Sequence, residues 1–571
     1  MTITTAPAVE AFDRALGDPG EPDGVFSYAR CNELDKAEAF PDEICALLNA
    51  QGLQRHYVPE EYGGALGEVP VVLELLRAVA RRDLTMAIGH SKTFLGAVGA
   101  WVSPTDPASQ EMARQVLEGA AISSGLTEQA HGSDLVSGQV RAEEVPGGFR
   151  LTGEKWAINN ATRCRTIAVL ARTGDGPRGF DVLMVDKTAL APESFRCLPK
   201  FRTHGIRGAN ISGIVFDNAF LPAEARLGRP RTGLETMLKG LQLSRTLCSA
   251  LSLGPGEHAL RLVLEGPGPG APPSGSGGRT GGAERPEEAR TLADAGADHL
   301  LNEAAAQVGC RGIHTFPQET GVVSAVLKYL LPTRADRMIA DLGRLLGTRA
   351  RLVDGDLDGR FQKLARDHRV VGLFDGNTLV NLNMLVNEFA TLARHAEAPY
   401  DEEALRTAAD PGRPLPPLNL AALRLTTRAG SSVLRALPDL AAAVAGTPAG
   451  PLAARLLGQY RRLVAELAEH RHPGLKVPRH VFAQADRLTL CWAGAAVLAV
   501  AAHAAPPEGD PLWADGLWQR AALGRVLAAL GEPAERPAGQ DQELVRALRD
   551  RLESGRSLTL MPHRVAEGVT R

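Results

Sequence analysis

One block of β-type sequence interrupts an otherwise helical chain, and that interruption limits the folds open to it. From residue 121 the runs "GGFRLTGEKWAI", "TIAVLART", "GFDVLMVDK" and "ISGIVFDNAFLP" are short and rich in β-branched and aromatic residues. Gly, Asn and Asp bound them, with turn chemistry at "EVPGG" and "TGDGPRG". On either side, apolar residues recur at helical spacing, in "VVLELLRAVARRD" before the block and "RADRMIADLGRLLG" after it. Strands without long intervening helices predict a small antiparallel β unit between helical ones, an α+β chain that is mostly α.

The breaks divide the chain into an N-terminal helical unit (1–120), a central β unit (121–232) and a helical bundle (233–400). A linker around "DPGRPLPPLN" (401–419) then leads to a further alanine- and leucine-rich helical unit (420–571). The stretch "GPGPGAPPSGSGGRTGG", 266–282, is too polar and too rich in Gly and Pro to build a core, so a mobile loop is expected there.

Composition excludes several classes. With 63 basic against 66 acidic residues, the net charge of −3 offers no electrostatic footprint for nucleic acid. Seven cysteines with no Cys-x-x-Cys predict reduced thiols and a cytoplasmic location. The opening "MTITTAPAVEAFDRALGD" has neither the basic nor the apolar segment of a secretory leader. The longest apolar run, 491–505, falls short of the roughly 20 residues a membrane span needs, and predicts a buried helix. The histidines of "EHRHPGLKVPRH" lack metal-site spacing, so no metal is expected.

Two clusters carry chemistry. "GLTEQAHGSDL", 125–135, offers a hydroxyl and turn N–H groups that suit an anion or the carbonyl edge of a heterocycle. "GEKWAINNAT", 153–162, offers Trp156 to cover a planar ring and Asn159 to bond a ring nitrogen. A third stretch, "GLFDGNTLVNL", places one acid, Asp375, between Phe374 and Gly376 in an apolar setting, where a carboxylate is kept when it is paired or used.

Taken in order, these motifs resemble those of the FAD-dependent acyl-CoA dehydrogenases. That family carries Leu-Thr-Glu followed by Gly-Ser-Asp, then Gly-x-Lys-x-x-Ile-x-Asn, then a strand of the "GIRGANISGIVFDNAFLP" type. The resemblance covers about 40 to 395. It implies FAD as cofactor, with Leu126, Thr127, Gly132, Ser133, Trp156, Ile158, Asn159, Arg344, Asn377 and Thr378 at the flavin or its phosphates. It places Ser133, Arg245, Phe374 and Gly376 at the substrate. It makes Asp375, nine residues after Arg366 in "RDHRVVGLFDG", the catalytic base where the family usually has Glu. An alternative family position for the base falls near Ser244. Burial beside Phe374 is expected to raise the pKa of Asp375 by desolvation.

Departures accompany the match. Ala157 stands at the family's usual aromatic, Arg344 at a Gln, and the 266–282 stretch at an Arg-x-x-Phe-Gly segment. The expected function is α,β-dehydrogenation of an acyl thioester, carried on coenzyme A or an acyl carrier protein, with electron-transfer flavoprotein or oxygen as acceptor. The alternatives are a catalytically altered binding or assembly protein, or an oxidase or flavin monooxygenase on the same scaffold. The extra C-terminal helices resemble those of very-long-chain members and imply a homodimer. The resemblance implies lipid metabolism, and the Ala-, Arg-, Gly- and Pro-rich composition with the altered FAD-side motifs suggests a place in secondary metabolism.

Overall fold

A computed structural model of the chain describes residues 5–566 apart from 106, 267–284, 356, 472, 473, 475 and 534. Most of the expected loop at 266–282, and His472, therefore lie outside the described residues.

The chain opens with helices α1 (Thr5–Ala15), α2 (Tyr28–Lys36), α3 (Asp42–Ala50), α4 (Val69–Arg82), α5 (Leu84–Val102) and α6 (Ala108–Leu117). Strands follow: β1 (Ile122–Gly125), β2 (Arg141–Val145), β3 (Gly148–Asn159), β4 (Thr166–Arg172), β5 (Phe180–Asp186), β6 (Phe195–Cys197), β7 (Ile211–Pro222) and β8 (Arg226–Leu227). The bundle comprises α7 (Gly233–Leu247), α8 (Ala250–Glu265), α9 (Pro286–Thr315), α10 (Thr320–Leu346), α11 (Arg360–His368) and α12 (Thr378–Arg394). Beyond it come α13 (Glu402–Ala409), α14 (Ser432–Arg435), α15 (Leu437–Ala443), α16 (Gly450–Ala468), α17 (Arg479–His503), α18 (Leu517–Ala529) and α19 (Gln540–Glu553).

The strands form one sheet in the order β6-β7-β3-β2-β4-β5-β8, with β1 added beside β4. Most pairs are antiparallel, but β1 and β2 each run parallel to β4, which departs from the purely antiparallel unit expected. The reason is topological. β1 leaves α6 directly, and the loop plus the β2–β3 hairpin supply the crossover that a parallel partner requires. Alternate residues of the long β3 and β7 strands, such as Phe149, Leu151, Ile214 and Phe216, face a separate core of the sheet. The register of β3 against β7 slips at Leu151/Gly153 and again between Lys155 and Ile158. The second slip re-aims the end of β3.

Helix α5 is the piece that brings the sheet to the bundle. Its sequence, LTMAIGHSKTFLGAVGAWV, is apolar nearly all round, as a helix enclosed on every side must be. Asp83 caps its start by accepting from Met86 N at 2.7 Å. It packs on β1 on one side and on α7 on another. Gly96 permits the first contact: a Cβ there would sit 2.8 Å from the Ser123 carbonyl and from Ile122.

The last helices close over the bundle. α17, α18 and α19 all pack on α9, and α17 also meets α12. Arg525 reaches Asp298 of α9 at 2.8 Å, and Tyr329 of α10 donates to Asp486 of α17 at 2.9 Å. Leu558 N donates to the buried Glu257 of α8. Among the described residues, α17 is the one helix long and apolar enough to cross a membrane. The apolar window that qualifies it is 78% buried inside the fold, so its apolar side chains already have protein partners. Replacing Gly96 with Val should push α5 off β1 and cost about 1–3 kcal/mol, the usual range for an overpacked core; urea denaturation measures it.

Candidate functional site

Asp375 sits on the turn between α11 and α12, and its backbone is in the left-handed region at φ 54°. Gly376 follows at φ 93°, and a Cβ there would lie 2.9 Å from the Arg245 guanidinium, so this position needs glycine. Downstream, Asn377 starts α12 by accepting from Val380 N at 3.0 Å, and Asn381 Nδ2 donates back to the carbonyls of Gly376 and Asn377. Upstream, Lys328 Nζ donates to the Val371 carbonyl at 2.6 Å. Arg245 Nε donates to the Asp375 carbonyl at 2.6 Å. The turn is held from both ends and from beneath, which is what fixes an uncommon backbone conformation.

The Asp375 carboxylate is 6% exposed. Lys92 Nζ of α5 lies 2.7 Å from both of its oxygens. Ser244 Oγ donates to Oδ2 at 2.6 Å, and the Cys248 thiol lies 3.7 Å from the same oxygen. Burial pushes the carboxyl pKa up, but the Lys92 charge and the hydrogen bonds from Lys92 and Ser244 outweigh it, so the net shift is downward. This corrects the sequence-based expectation of a raised pKa. Desolvation acts as foreseen, and an ion pair hidden from a linear reading overrides it. The two family positions for a base, at 375 and near Ser244, thus touch each other.

The ring of Phe374 faces two lysines, with Nζ of Lys92 at 4.1 Å and of Lys328 at 5.0 Å from its centre. Burial, reinforced by the charges of Lys92 and Arg245, pushes Lys328 down to about 8. Burial also pushes the Cys248 thiol up to about 11, and the Asp375 charge adds to it, so the thiol is neutral at pH 7.

The other half of the site is the end of the sheet. Lys155 and Glu128 form a buried ion pair at 2.8 Å, and Lys155 also donates to the Leu126 carbonyl. Glu128 accepts from Gln139 N and Val140 N, so one carboxylate closes the loop that holds Gly132 and Ser133. Gly132 is left-handed at φ 54°, and Ser133 is exposed. Trp156 N donates to the Thr127 carbonyl at 2.9 Å, which sets Leu126 and Thr127 beside the end of β3. Ile158 is buried. The buried Oδ1 of Asn159 and Oγ of Ser124 have no hydrogen-bond partner among protein groups, while Ser123 Oγ donates to the Asn159 carbonyl. Two unpaired polar atoms at one sheet end are the setting for the rim of a heterocycle with donors and acceptors, and on that ground the residues fit a flavin.

One turn of α5 links the two halves. Asn160 Nδ2 donates to the Gly89 carbonyl at 2.7 Å, and Lys92, three residues on, holds Asp375. Neighbours three apart on a helix share a face.

Not every expected residue joins this arrangement. Trp156 packs on Phe201, with ring centres 5.6 Å apart, while Ala157, at φ 54° and exposed, occupies the bulge. Arg344 is exposed at the end of α10 and pairs with Asp341. Arg245 is buried and committed to the Asp375 carbonyl and to Met384 Sδ at 2.9 Å. The Asn377 side chain is used as a helix cap, and Thr378 is the first residue of α12. Nearby, Ser252, His368 and Asp336 show the hydrogen-bond order of a hydrolase triad, at 3.1 and 2.7 Å. Ser252 and His368 are buried at 1% and 0% exposure, so the three act as an anchor for the end of α11. Among the described residues, no group of three or more His, Cys, Asp or Glu is placed to hold a metal.

Residues 123–219 match the family model for the acyl-CoA dehydrogenase middle domain. A probable acyl-CoA dehydrogenase of Mycobacterium tuberculosis is 31% identical over 239 residues, which are 41% of this chain and 60% of that protein. A mitochondrial 2-methylacyl-CoA dehydrogenase of Solanum tuberosum is 28% identical over 249 residues, 42% of this chain and 59% of that one. The chain thus spans about 60% of the length of the curated relatives it matches. Among solved structures, an acyl-CoA dehydrogenase of Bacillus anthracis complexed with FAD superposes with a TM-score of 0.71 at 14% identity, covering 97% of this chain and 95% of that one. The fold is that of the acyl-CoA dehydrogenases. Butyryl-CoA dehydrogenase of Megasphaera elsdenii (TM-score 0.57, 22% identity) covers 67% of this chain and 97% of its own. The longer structure thus matches nearly the whole chain, the helices beyond the bundle included, and the shorter one about two thirds of it.

Within that fold, the sequence reading missed Lys92. Its signal was available: Lys92 is the lone Lys, Arg, Asp or Glu in the nineteen residues of α5, and an enclosed helix rarely carries one charge without a partner. Replacing Lys155 with Ala should leave Glu128 buried without its cation and cost about 3–5 kcal/mol. The double change Glu128→Gln with Lys155→Met should recover part of that loss. Thermal melts of the three proteins provide the comparison.

Proposed function

We propose that this chain is a flavoprotein oxidoreductase that removes two hydrogens from the α and β carbons of an acyl thioester. The observation that carries the reading is the juxtaposition on α5: a carboxylate fixed on a constrained turn faces the same helix that holds the sheet end with its unpaired polar atoms. Leu126, Thr127, Ser124, Ile158 and Asn159 are the residues suited to hold FAD. When bound, FAD supplies the electron sink that takes the β-hydride. Asp375 takes the α-proton, which is weakly acidic beside the thioester carbonyl. Ser244 and Lys92 hold the carboxylate in its resting position, and Arg245 and Lys328 hold the turn that carries it.

Further parts of the reading extend the same proposal. The thioester is carried by coenzyme A or by an acyl carrier protein, and the electrons pass to electron-transfer flavoprotein or to oxygen. The chain acts as a cytoplasmic homodimer, organised as the units 1–120, 121–232, 233–400 and 420–571 with a linker at 401–419, in lipid or secondary metabolism. The hold of Lys92 on both Asp375 oxygens favours one alternative: a protein that keeps the scaffold and binds ligands without turnover.

Anaerobic mixing of FAD-loaded protein with a panel of acyl-CoA and acyl-carrier-protein thioesters separates the two. Dehydrogenation predicts bleaching of the flavin absorbance by at least one thioester. Replacement of Asp375 by Asn should slow that bleaching by roughly 10²–10⁴-fold, the span of a lost general base, with FAD retained. No bleaching by any thioester selects the binding protein, and full activity in the Asn variant moves the base elsewhere.

A further inference from the structure

A general base needs a lone pair directed at the proton it removes. In this arrangement the carboxylate of Asp375 has both oxygens turned onto Lys92. Oδ1 accepts from Lys92, and Oδ2 accepts from Lys92 and Ser244, with the Cys248 thiol 3.7 Å away. The carbonyl of the same residue is taken by Arg245. The cation that holds both oxygens stands on a helix anchored independently, by Asp83 at its start and by Asn160 at Gly89.

We infer that Lys92 is a positioning residue: it latches the Asp375 carboxylate against α5 and α7, and the acyl chain of a bound thioester must displace this latch before the carboxylate can reach the α carbon. The inference rests on the function proposed above and adds to it a second residue that sets when the base is available.

Three features support the latch. The lysine has a second resting place, because its ammonium already lies 4.1 Å from the centre of the Phe374 ring; that face retains part of the electrostatic stabilisation when the carboxylate is withdrawn. The base is Asp, one methylene shorter than Glu, so its reach toward a substrate is least when it is turned toward α5. The charges around it are asymmetric. Lys92 faces it from α5, Ser244 and Arg245 from α7, Cys248 from just beyond α7 and Lys328 from α10. Of the two lysines, Lys92 makes the direct contact, while Lys328 donates to the Val371 carbonyl. Removing Lys92 therefore leaves burial, which raises the carboxyl pKa, as the dominant influence.

The test compares wild type with Lys92→Met and Lys92→Arg, each paired with its Asp375→Asn counterpart so that the difference spectrum isolates one carboxyl group. Infrared absorbance of the protonated carboxyl is followed from pH 9 down to the acid limit of the folded protein. The Met variant should protonate Asp375 at a pH more than one unit above wild type, a change of about tenfold or more in its ionisation constant. The Arg variant, which keeps a cation there, should stay near wild type. In turnover, the Met variant should lose kcat/KM below its new pKa. Above that pKa its KM should fall several-fold, because no latch competes with substrate. A cation that is only a structural partner would also move the titration when removed, but it would lower kcat at every pH and leave KM unimproved above the new pKa.

Identical carboxyl titrations in wild type and the Met variant would overturn the inference. Should the Met variant not fold, Ser244→Ala gives the same readout, with a smaller upward displacement expected and an unchanged titration counting against. Failure of every thioester to bleach the wild-type flavin would sink the dehydrogenase reading instead, while the infrared titration would still decide whether Lys92 controls Asp375.

Discussion

A buried ion pair, Lys92 with Asp375, joins the turn that carries the acid to the helix that meets the sheet end. Neither partner is stable in that position alone. Removing a carboxylate or an ammonium from water costs several kcal/mol, and the pairing offsets that cost when the geometry is close and the remaining lone pairs are used. Here the contacts are 2.7 Å to each oxygen, and Ser244 supplies a further donor to one of them. The pair ties the turn after α11 to α5, and α5 is in turn tied to β1 and to the end of β3. A carboxylate, a helix and a sheet edge are thereby made one unit.

The same arrangement explains why cations surround a lone acid without simply neutralising it. Arg245 and Lys328 meet the turn through backbone carbonyls, and Lys92 alone meets the carboxylate oxygens as a cation. The first two shape the loop; the third sets the state of the side chain. An Asp in place of a Glu fits this division, because the shorter side chain lies within reach of a lysine on the neighbouring helix.

Much of the architecture was legible in the sequence because its elements have strong local signatures. Period-3.6 patterning and period-2 patterning rarely coincide, so the β block stands out from its helical surroundings. A buried acid at 375 was legible from its apolar setting and the Gly376 that follows it. What escaped was non-local. Lys92 lies 283 residues from its partner, and no pattern in either segment announces the contact. The sign of the pKa shift depended on that contact and was read the wrong way without it. The parallel pairing of β1 with β4 was hidden for a related reason, since strand direction is fixed by the path between strands and not by their composition. Trp156 packs on Phe201 beside the irregular Ala157, a contact between residues forty-five positions apart that no local pattern announces.

The helices beyond the linker carry a consequence for any attempt to shorten the chain. α17, α18 and α19 lie on α9, and α9 in turn packs on α10, the helix that carries Lys328. Arg525 and Arg334 share Asp298 between them. A version truncated after the linker would bare the apolar flank of α9 to water and strip one cation from Asp298. The expected product is a sticky fragment with a loosened bundle, and not a compact miniature of the parent. Evolution of the longer form from a shorter one would have required α9 to exchange a wet face for a dry one, and reverting that exchange would require re-polarising the helix.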